Sequence, residues 1–226
     1  MNAKFILPVL CVVLASMASC SKGNVDATNP DDLKDNAITM AENAIAVKES
    51  PIIGTIPSVH AQKRAALDSL SEMTKASFEG IDSQNKEEVE EAVANSEKIN
   101  AAEESAKDAI QAHYDAKIQE MGKEFIGKEF PSQFDKNQYS AASVKITKFD
   151  ETSCFAEAKL TLSAPMGRIR CVVYKFLDKQ GNTVSNAADY NLDDNGNYGA
   201  GGQITIQISA SLENMEKITA VKFVKD

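Results

Sequence analysis

The sequence predicts an α+β protein in which an antiparallel three-helix bundle with one long helix precedes a small antiparallel β-sandwich. Apolar residues recur at steps of three and four from residue 29 to about residue 130, which is the period of an amphipathic helix. After Pro131 the pattern alternates residue by residue, most regularly at 204–210, as in strands with one buried face. We therefore expect a helical domain at 29–130 and a β-domain at 138–226.

The first helix is expected to begin at a cap on Asn29 and to end near residue 49. The Asn29 side chain can accept hydrogen bonds from free backbone N–H groups, and Pro30 suits the first helical position. Asp31 and Asp32 complement the positive end of the helix dipole. Pro51 cannot continue a helix, so the first helix stops before it.

The connector at 51–57 contains too much proline to form a helix and too much isoleucine to be fully exposed to solvent. We expect its isoleucines to cover one end of the bundle. A second helix should start at Ser58 and end near Gly80, because glycine favours helix ends. Its stripe consists of Val59, Ala66, Leu67, Leu70, Met73, Ser77, Phe78 and Ile81.

The third helix is the longest. Asn85 and Glu88 have the spacing of a capping box, and the helical pattern behind them continues to about Gly127, roughly 60 Å. The glutamates at 87, 88, 90 and 91 are interpreted as a solvated face. The stripe is poor in large side chains and approaches the 3.5-residue repeat of a coiled coil. It consists of Val89, Ala92, Val93, Ser96, Ile99, Ala102, Ala106, Ile110, His113, Ala116 or Lys117, and Met121.

Six strands are expected in the β-domain, at 143–150, 154–162, 169–177, 183–188, 204–210 and 218–224. Residues 173–184 (VYKFLDKQGNTV) resemble the strand-turn-strand of immunoglobulin-like modules in bacterial envelope proteins, including the FxLYD type. Asp178 and Gly181 serve the tight turn. The resemblance implies an immunoglobulin-like sandwich in a module that binds or spaces rather than catalyses.

Residues 1–19 have the three parts of a secretory signal peptide. Lys4 supplies positive charge, an apolar run covers 5–14, and small residues precede Cys20. A bilayer-spanning helix needs about 20 apolar residues, whereas this run is shorter and contains Pro8. We therefore expect export rather than a permanent membrane span, and Cys11 would leave with the signal peptide.

Cys20 and the residues before it resemble the lipobox of bacterial lipoproteins, in which the cysteine thiol is lipidated. Met17 stands in the place of the usual leucine, while Ala18 and Ser19 fit the two small positions. The resemblance implies a chain attached to a membrane through lipid on Cys20. The alternative is simple secretion after cleavage near Ser19.

The segment at 20–28 is short and polar and contains Gly23, which suits a flexible tether. In Gram-negative lipoproteins an aspartate after the cysteine retains the protein in the inner membrane. By that resemblance Ser21 implies the outer membrane. No tight acidic cluster follows Cys20, so we expect the periplasmic face of that membrane rather than the cell surface.

The net charge of the chain is −9, and removal of Lys4 with the signal peptide makes it more negative. An acidic chain is not a nucleic-acid binder by electrostatics. The same charge repels anionic lipid headgroups, so membrane attachment should depend on the lipid and not on a basic patch.

Cys154 and Cys171 fall on successive predicted strands, and export would place them in an oxidising compartment. A disulfide between them is one interpretation. The other is a pair of buried thiols, because a hairpin around 165–167 would set Cys154 opposite a residue beyond Cys171. A bridge requires Cα atoms within about 7 Å.

The segment at 189–202 is the one stretch with site-like chemistry, and its oxygens could bind calcium or another ligand. The spacing fails as an EF-hand, and the glycines lack the lysine and helix of a P-loop. A solvated turn region is the plain interpretation, because Asn, Asp and Gly favour turns. The candidate ligand-binding residues are Tyr190, Asp193, Asn195, Asn197 and Tyr198.

Catalytic chemistry has no support in the sequence. His60 and His113 are the only histidines, and neither has a cysteine or second histidine at ligand spacing. Both are interpreted as surface or packing residues. We expect no metal, no cofactor and no enzymatic activity.

Two functions from different classes remain. The first is a non-catalytic interaction or spacer lipoprotein that presents the β-sandwich, with another envelope protein docking on the third helix as its partner. The alternative is a lipoprotein that binds glycan, peptide or calcium through the 189–202 loop. The absence of tryptophan weighs against glycan, since sugar rings stack on large aromatic side chains.

Overall fold

The computed structural model describes residues 25–78, 86–165, 171–190 and 199–224. Three helices precede two sheets that are antiparallel except for one strand pair, so the α+β class is confirmed. The helices are α1 (Pro30–Ala44), α2 (Ile56–Ala76) and α3 (Lys86–Gly122). The strands are β1 (Ser132–Phe134), β2 (Tyr139–Phe149), β3 (Ser153–Leu162), β4 (Val172–Leu177), β5 (Thr183–Asp189), β6 (Gln203–Ser211) and β7 (Ala220–Val224).

Helix α1 begins as predicted and ends earlier. The Asn29 side chain accepts a hydrogen bond from the Asp31 N–H at 3.1 Å, and Pro30 is the first helical residue. Ile45 is already extended. The Lys48 N–H donates to the Ser58 Oγ at 2.8 Å, and this hydroxyl donates back to the Lys48 carbonyl at 2.9 Å. This contact with α2 holds the segment after Ala44 outside α1, although the helical period of the sequence predicts that α1 continues through it.

Helix α2 begins two residues before the predicted start, with Ile56 and Pro57 in its first turn. The three isoleucines at 52, 53 and 56 are buried, as expected. Gly54 has a positive φ of 57°, and a Cβ there would lie 3.2 Å from the Phe125 ring. The connector therefore packs against the C-terminal end of α3.

Helix α3 spans roughly 55 Å and outruns both of its partners. It ends at Gly122 rather than near Gly127, and Asn85 of the expected capping box lies outside the described residues. From Ala102 onward its buried positions recur every four residues. The predicted 3.5-residue stripe is therefore wrong after residue 110. The buried positions are Ile99, Ala102, Ala106, Ile110, Tyr114, Ile118 and Gly122.

The two sheets have the strand orders β1-β7-β4-β5 and β2-β3-β6. All six predicted strands are present, but the strands predicted from 169 and 218 start at Val172 and Ala220, and residues 169–170 lie outside the described part of the chain. The sequence pattern does not predict β1. This strand pairs with β7 in parallel, so the expectation of a wholly antiparallel β-domain is wrong at this point. Strand β6 alternates between exposed and buried positions along its whole length, as predicted.

The helical part and the sheets share one hydrophobic cluster. A Cβ on Gly122 would lie 2.6 Å from the Phe149 ring, so the end of α3 fits against β2 only without a side chain there. The Gln119 amide also donates to the Phe149 carbonyl at 2.7 Å. Leu212 and Met215, in the β6–β7 connector, are fully buried in the same cluster.

Candidate functional site

The predicted ligand-binding segment leaves β5 at Asp189 and returns to β6 through a turn at 199–202. Tyr190 is 73 % exposed. In the returning turn the Gly202 N–H donates to the Gly199 carbonyl at 2.9 Å, and Gly201 has a φ of 77° that favours glycine. The other four predicted ligand-binding residues lie outside the described part of the chain, as does the predicted lipidation site Cys20. They are Asp193, Asn195, Asn197 and Tyr198.

One side chain from the four-stranded sheet reaches the outer edge of β6. The Asp189 carboxylate accepts from the Gln207 backbone N–H at 3.1 Å. This bond satisfies a backbone group that points away from β3, and it joins the two sheets where the predicted loop crosses between them. Asp189 therefore has a structural role in the loop.

No disulfide joins Cys154 and Cys171, and both residues are buried. Cys154 pairs with Phe149 at one end of the β2–β3 ladder, whereas Cys171 interacts electrostatically with Tyr139 at the other end. At about 3.3 Å per residue along β3, these ends are roughly 25 Å apart, far beyond the reach of a disulfide. Burial raises the pKa of the Cys154 thiol to about 12, so it is unreactive near neutral pH.

The interpretation of the histidines holds. His60 is buried at the start of α2, and burial followed by the positive charge of Arg64 and Lys63 lowers its pKa. His113 is exposed and meets the ring of Tyr114 edge-on, with 5.0 Å between ring centroids. Among the described residues no three metal-ligating side chains come together.

A group of polar side chains connects α2 to α3 and to the β6–β7 connector. We call it the junction cluster. The Lys63 ammonium lies 2.7 Å from the Asp115 carboxylate of α3, and both side chains are largely buried. Arg64 pairs with Glu213 of the β6–β7 connector at 2.9 Å. The junction cluster consists of Ser58, His60, Lys63, Arg64, Asp115 and Glu213.

Sequence reasoning missed the junction cluster, although one signal was present. Lys63 stands between Val59 and Ala66, at the step of four where the apolar stripe of α2 lacks a member. A lysine inside such a stripe requires a buried partner. The partner, Asp115, is 52 residues away in sequence, and nothing in the pattern of α3 marks it.

Comparison with known proteins adds no relative. No family model, curated protein or solved structure matches the chain.

The contacts of the junction cluster indicate a structural role. Its groups are already engaged with one another in ion pairs, and the Ser58 hydroxyl is engaged with Lys48. Lys48 in turn pairs with Glu216 of the β6–β7 connector at 3.0 Å. Together with the shared core, these contacts fix the helices against the sheets.

Proposed function

We propose that the protein is a lipid-anchored cell-envelope lipoprotein of non-catalytic type that acts as a spacer or interaction module. In this proposal the three helices form an antiparallel bundle and the two sheets form an immunoglobulin-like sandwich. Lipid on Cys20 attaches the chain to the outer membrane, facing the periplasm. Among the described helices, none has the length and apolar character needed to cross a bilayer.

The proposal rests on the positions of the helices and the sheets relative to residue 25, the first described residue. The connector after α1 packs on Phe125, so the C-terminal end of α1 lies at the junction with the sheets. The N-terminal end of α1 is about 22 Å from there. The chain thus enters α1 about 22 Å from the sheets, and α3 extends farther from them, to roughly 55 Å.

The sheets extend from the junction to a far end. Strand β3 begins beside Phe149 at the junction and ends at Leu162, about 26 Å away. The Gly201 N–H donates to the Leu162 carbonyl at 3.0 Å, which places the returning turn of the 189–202 loop at that far end. In this proposal α1 separates an anchor at Cys20 from the sheets.

The lipid anchor is tested by growing cells with an alkyne fatty acid and comparing the parent chain with Cys20→Ala. We expect label on the parent and none on the variant, which should leave the membrane fraction. Ser21→Asp should retain the label and move the protein to the inner-membrane fraction. An unlabelled parent would remove the lipoprotein proposal.

The spacer arrangement is tested on the lipidated protein in vesicles that carry a headgroup fluorescence quencher. A dye at Asp31→Cys should be quenched, whereas a dye at Tyr190→Cys should not, because the helices and sheets lie between the anchor and Tyr190. The buried Cys154 thiol does not compete for the dye. Equal quenching of both dyes would contradict a standing spacer.

A second function is favoured by the exposure of Tyr190 at 73 %, at the end of the sheets remote from the helices. Here the 189–202 loop binds a glycan, a peptide or calcium. Glycan-array and calcium titrations of the parent, Tyr190→Ala and Tyr198→Ala would test it. Absence of binding by the parent would remove this second candidate.

A further inference from the structure

Four polar side chains form a row across the outer face of the four-stranded sheet. Gln133 of β1 pairs with Lys222 of β7, Lys222 with Lys175 of β4, and Lys175 with Asn186 of β5. Paired residues on neighbouring strands project to the same side, and the opposite side carries the core residue Phe176. With strands about 4.8 Å apart, the row is about 14 Å long. We call it the lysine row.

The two lysines at its centre lie directly opposite each other. Cross-strand neighbours have Cβ atoms about 5 Å apart, and like charges in this position destabilise a sheet. Among the described residues, no carboxylate oxygen lies within 4.0 Å of the ammonium group of Lys175 or Lys222. The chain therefore keeps a repulsive pair in the centre of a sheet, where an exchange to a neutral residue would relieve it.

The outer face of the other sheet shows how the same chain balances lysines elsewhere. Lys145 lies between Glu129, which precedes β1, and Glu157 of β3. Lys159 forms an ion pair with Glu157 at 3.2 Å. With a net charge of −9, carboxylates are abundant in this protein. Because no carboxylate of the described residues pairs with Lys175 or Lys222, the lysine row is a local positive site within that part of an acidic chain.

The row is open to solvent. Gln133, Lys222 and Asn186 are exposed, and Lys175 is partly exposed. Helix α3 packs against β2, which belongs to the other sheet. An anionic ligand can therefore reach both ammonium groups and both flanking amides at once.

The form of the site selects the class of ligand. An extended peptide is bound through a free strand edge, and a helix through an apolar groove. The lysine row crosses the middle of a sheet face, where the backbone groups of β4 and β7 are already used in the ladder. Recognition must come from side chains alone: ammonium groups bind carboxylates, and amides bind hydroxyl groups as donors and acceptors.

We propose that the lysine row binds an acidic polysaccharide. Lys175 and Lys222 bind carboxylates of the sugar chain, and Gln133 and Asn186 bind its hydroxyl groups. The site is separate from the 189–202 loop, and it requires neither a lipid anchor nor a bound metal.

Calorimetric titration of the purified full chain with polygalacturonate and with alginate at low ionic strength tests the proposal. We expect binding to at least one of them that weakens as salt is added, since exposed charges are screened. Methyl-esterified polygalacturonate, which keeps the sugar backbone and loses the charge, should not bind.

Paired variants separate the site from general charge. Lys175→Gln with Lys222→Gln should weaken binding about tenfold, since each exposed charge contact contributes about threefold. Lys145→Gln with Lys159→Gln removes the same charge from the other sheet and should change binding less than about twofold. All four positions are at least partly exposed, so thermal unfolding should confirm intact folding of both proteins.

Three results would overturn the proposal. The first is that neither polysaccharide binds the parent chain. The second is equal weakening by the two paired variants, which would show attraction to charge in general. The third is that polyglutamate binds as tightly with the same dependence on Lys175 and Lys222, which would make the ligand an acidic polypeptide.

Discussion

The Asp189 carboxylate accepts a hydrogen bond from the backbone N–H of Gln207 at 3.1 Å, and this bond joins β5 of one sheet to β6 of the other. Exposed strand edges are sites of unwanted pairing between chains. Strand β6 has uncharged outward side chains at 203, 205, 207, 209 and 211. Asp189 occupies the outward N–H of Gln207 and so contributes to the protection of this edge.

Asp189→Ala should lower the free energy of unfolding by about 1 kcal/mol, because it leaves the Gln207 N–H without its acceptor. Asp189→Asn keeps an acceptor oxygen and should lose less. Urea unfolding measures both, with the exposed Asn186→Ala of the same strand as control, expected within about 0.5 kcal/mol of the parent. Equal stability of Asp189→Ala and Asn186→Ala would show that the bond contributes nothing.

The buried Lys63–Asp115 pair should be costly to break from one side. Asp115→Asn leaves a buried ammonium without its counter-charge and should destabilise by about 3 kcal/mol, the low end for buried pairs because Asp115 keeps some exposure. Replacing both residues, as Lys63→Met with Asp115→Leu, should recover most of that loss. Chemical unfolding of the single and double variants measures the difference.

The exposed pair between Lys86 and Glu90 is the matched control. Glu90→Gln should change the unfolding free energy by less than about 1 kcal/mol. If Asp115→Asn cost no more than Glu90→Gln, the buried pair would not stabilise the contact between α2 and α3.

Tyr114 is fully buried in the helical part, and its hydroxyl has no hydrogen-bond partner among the described residues. Burial raises its pKa to about 12. Tyr114→Phe removes an unsatisfied polar group and keeps the ring, so it should leave stability unchanged or raise it by about 1 kcal/mol. Tyr114→Ala should cost about 3 to 5 kcal/mol through the cavity it creates. A loss above about 1 kcal/mol in Tyr114→Phe, measured by thermal and urea unfolding, would contradict the unpartnered hydroxyl.

Stability should fall on acidification because of His60. Burial, then Arg64 and Lys63, lower its pKa in the folded chain below the ordinary 6.5. The unfolded chain therefore binds the proton more readily. The resulting contribution is fully present above pH 6.5 and is lost as pH falls from there through the lowered folded pKa.

Urea unfolding between pH 7.5 and pH 5 measures this dependence. His60→Gln should reduce the slope of unfolding free energy against pH in that window, whereas His113→Gln, at an exposed site, should keep it. An unchanged slope in His60→Gln would assign the acid sensitivity to other groups.

Local patterns predicted most of the fold. The cap at Asn29, the six alternating strands and the burial of the 52–56 isoleucines follow from residue type and spacing alone. Strand β1 could not be predicted in this way, because its three residues are too few to show a period. Its pairing with β7 depends on a contact across the whole β part.

The polar sites depended on distant contacts and were less predictable. Asp115 carries no local mark of its pairing with Lys63, and the Lys175–Lys222 row exists only once β4 and β7 are adjacent. The end of α1 was missed for the same reason, since Ser58 holds Lys48 out of the helix. The buried stripe of α3 differs from the predicted one because Tyr114 and Ile118, spaced four residues apart, are the positions that pack in the core.

The parallel pairing of β1 with β7 also orders events as the chain emerges during synthesis. Strand β7 lies between β1 and β4, so neither β1 nor the edge of β4 can complete its ladder until the last strand is made. Contacts between residues so far apart in sequence slow folding. The helices have mostly nearer partners and can form while the β part is still open. Synthesis arrested before residue 220 would therefore leave a chain with formed helices and an unclosed sheet.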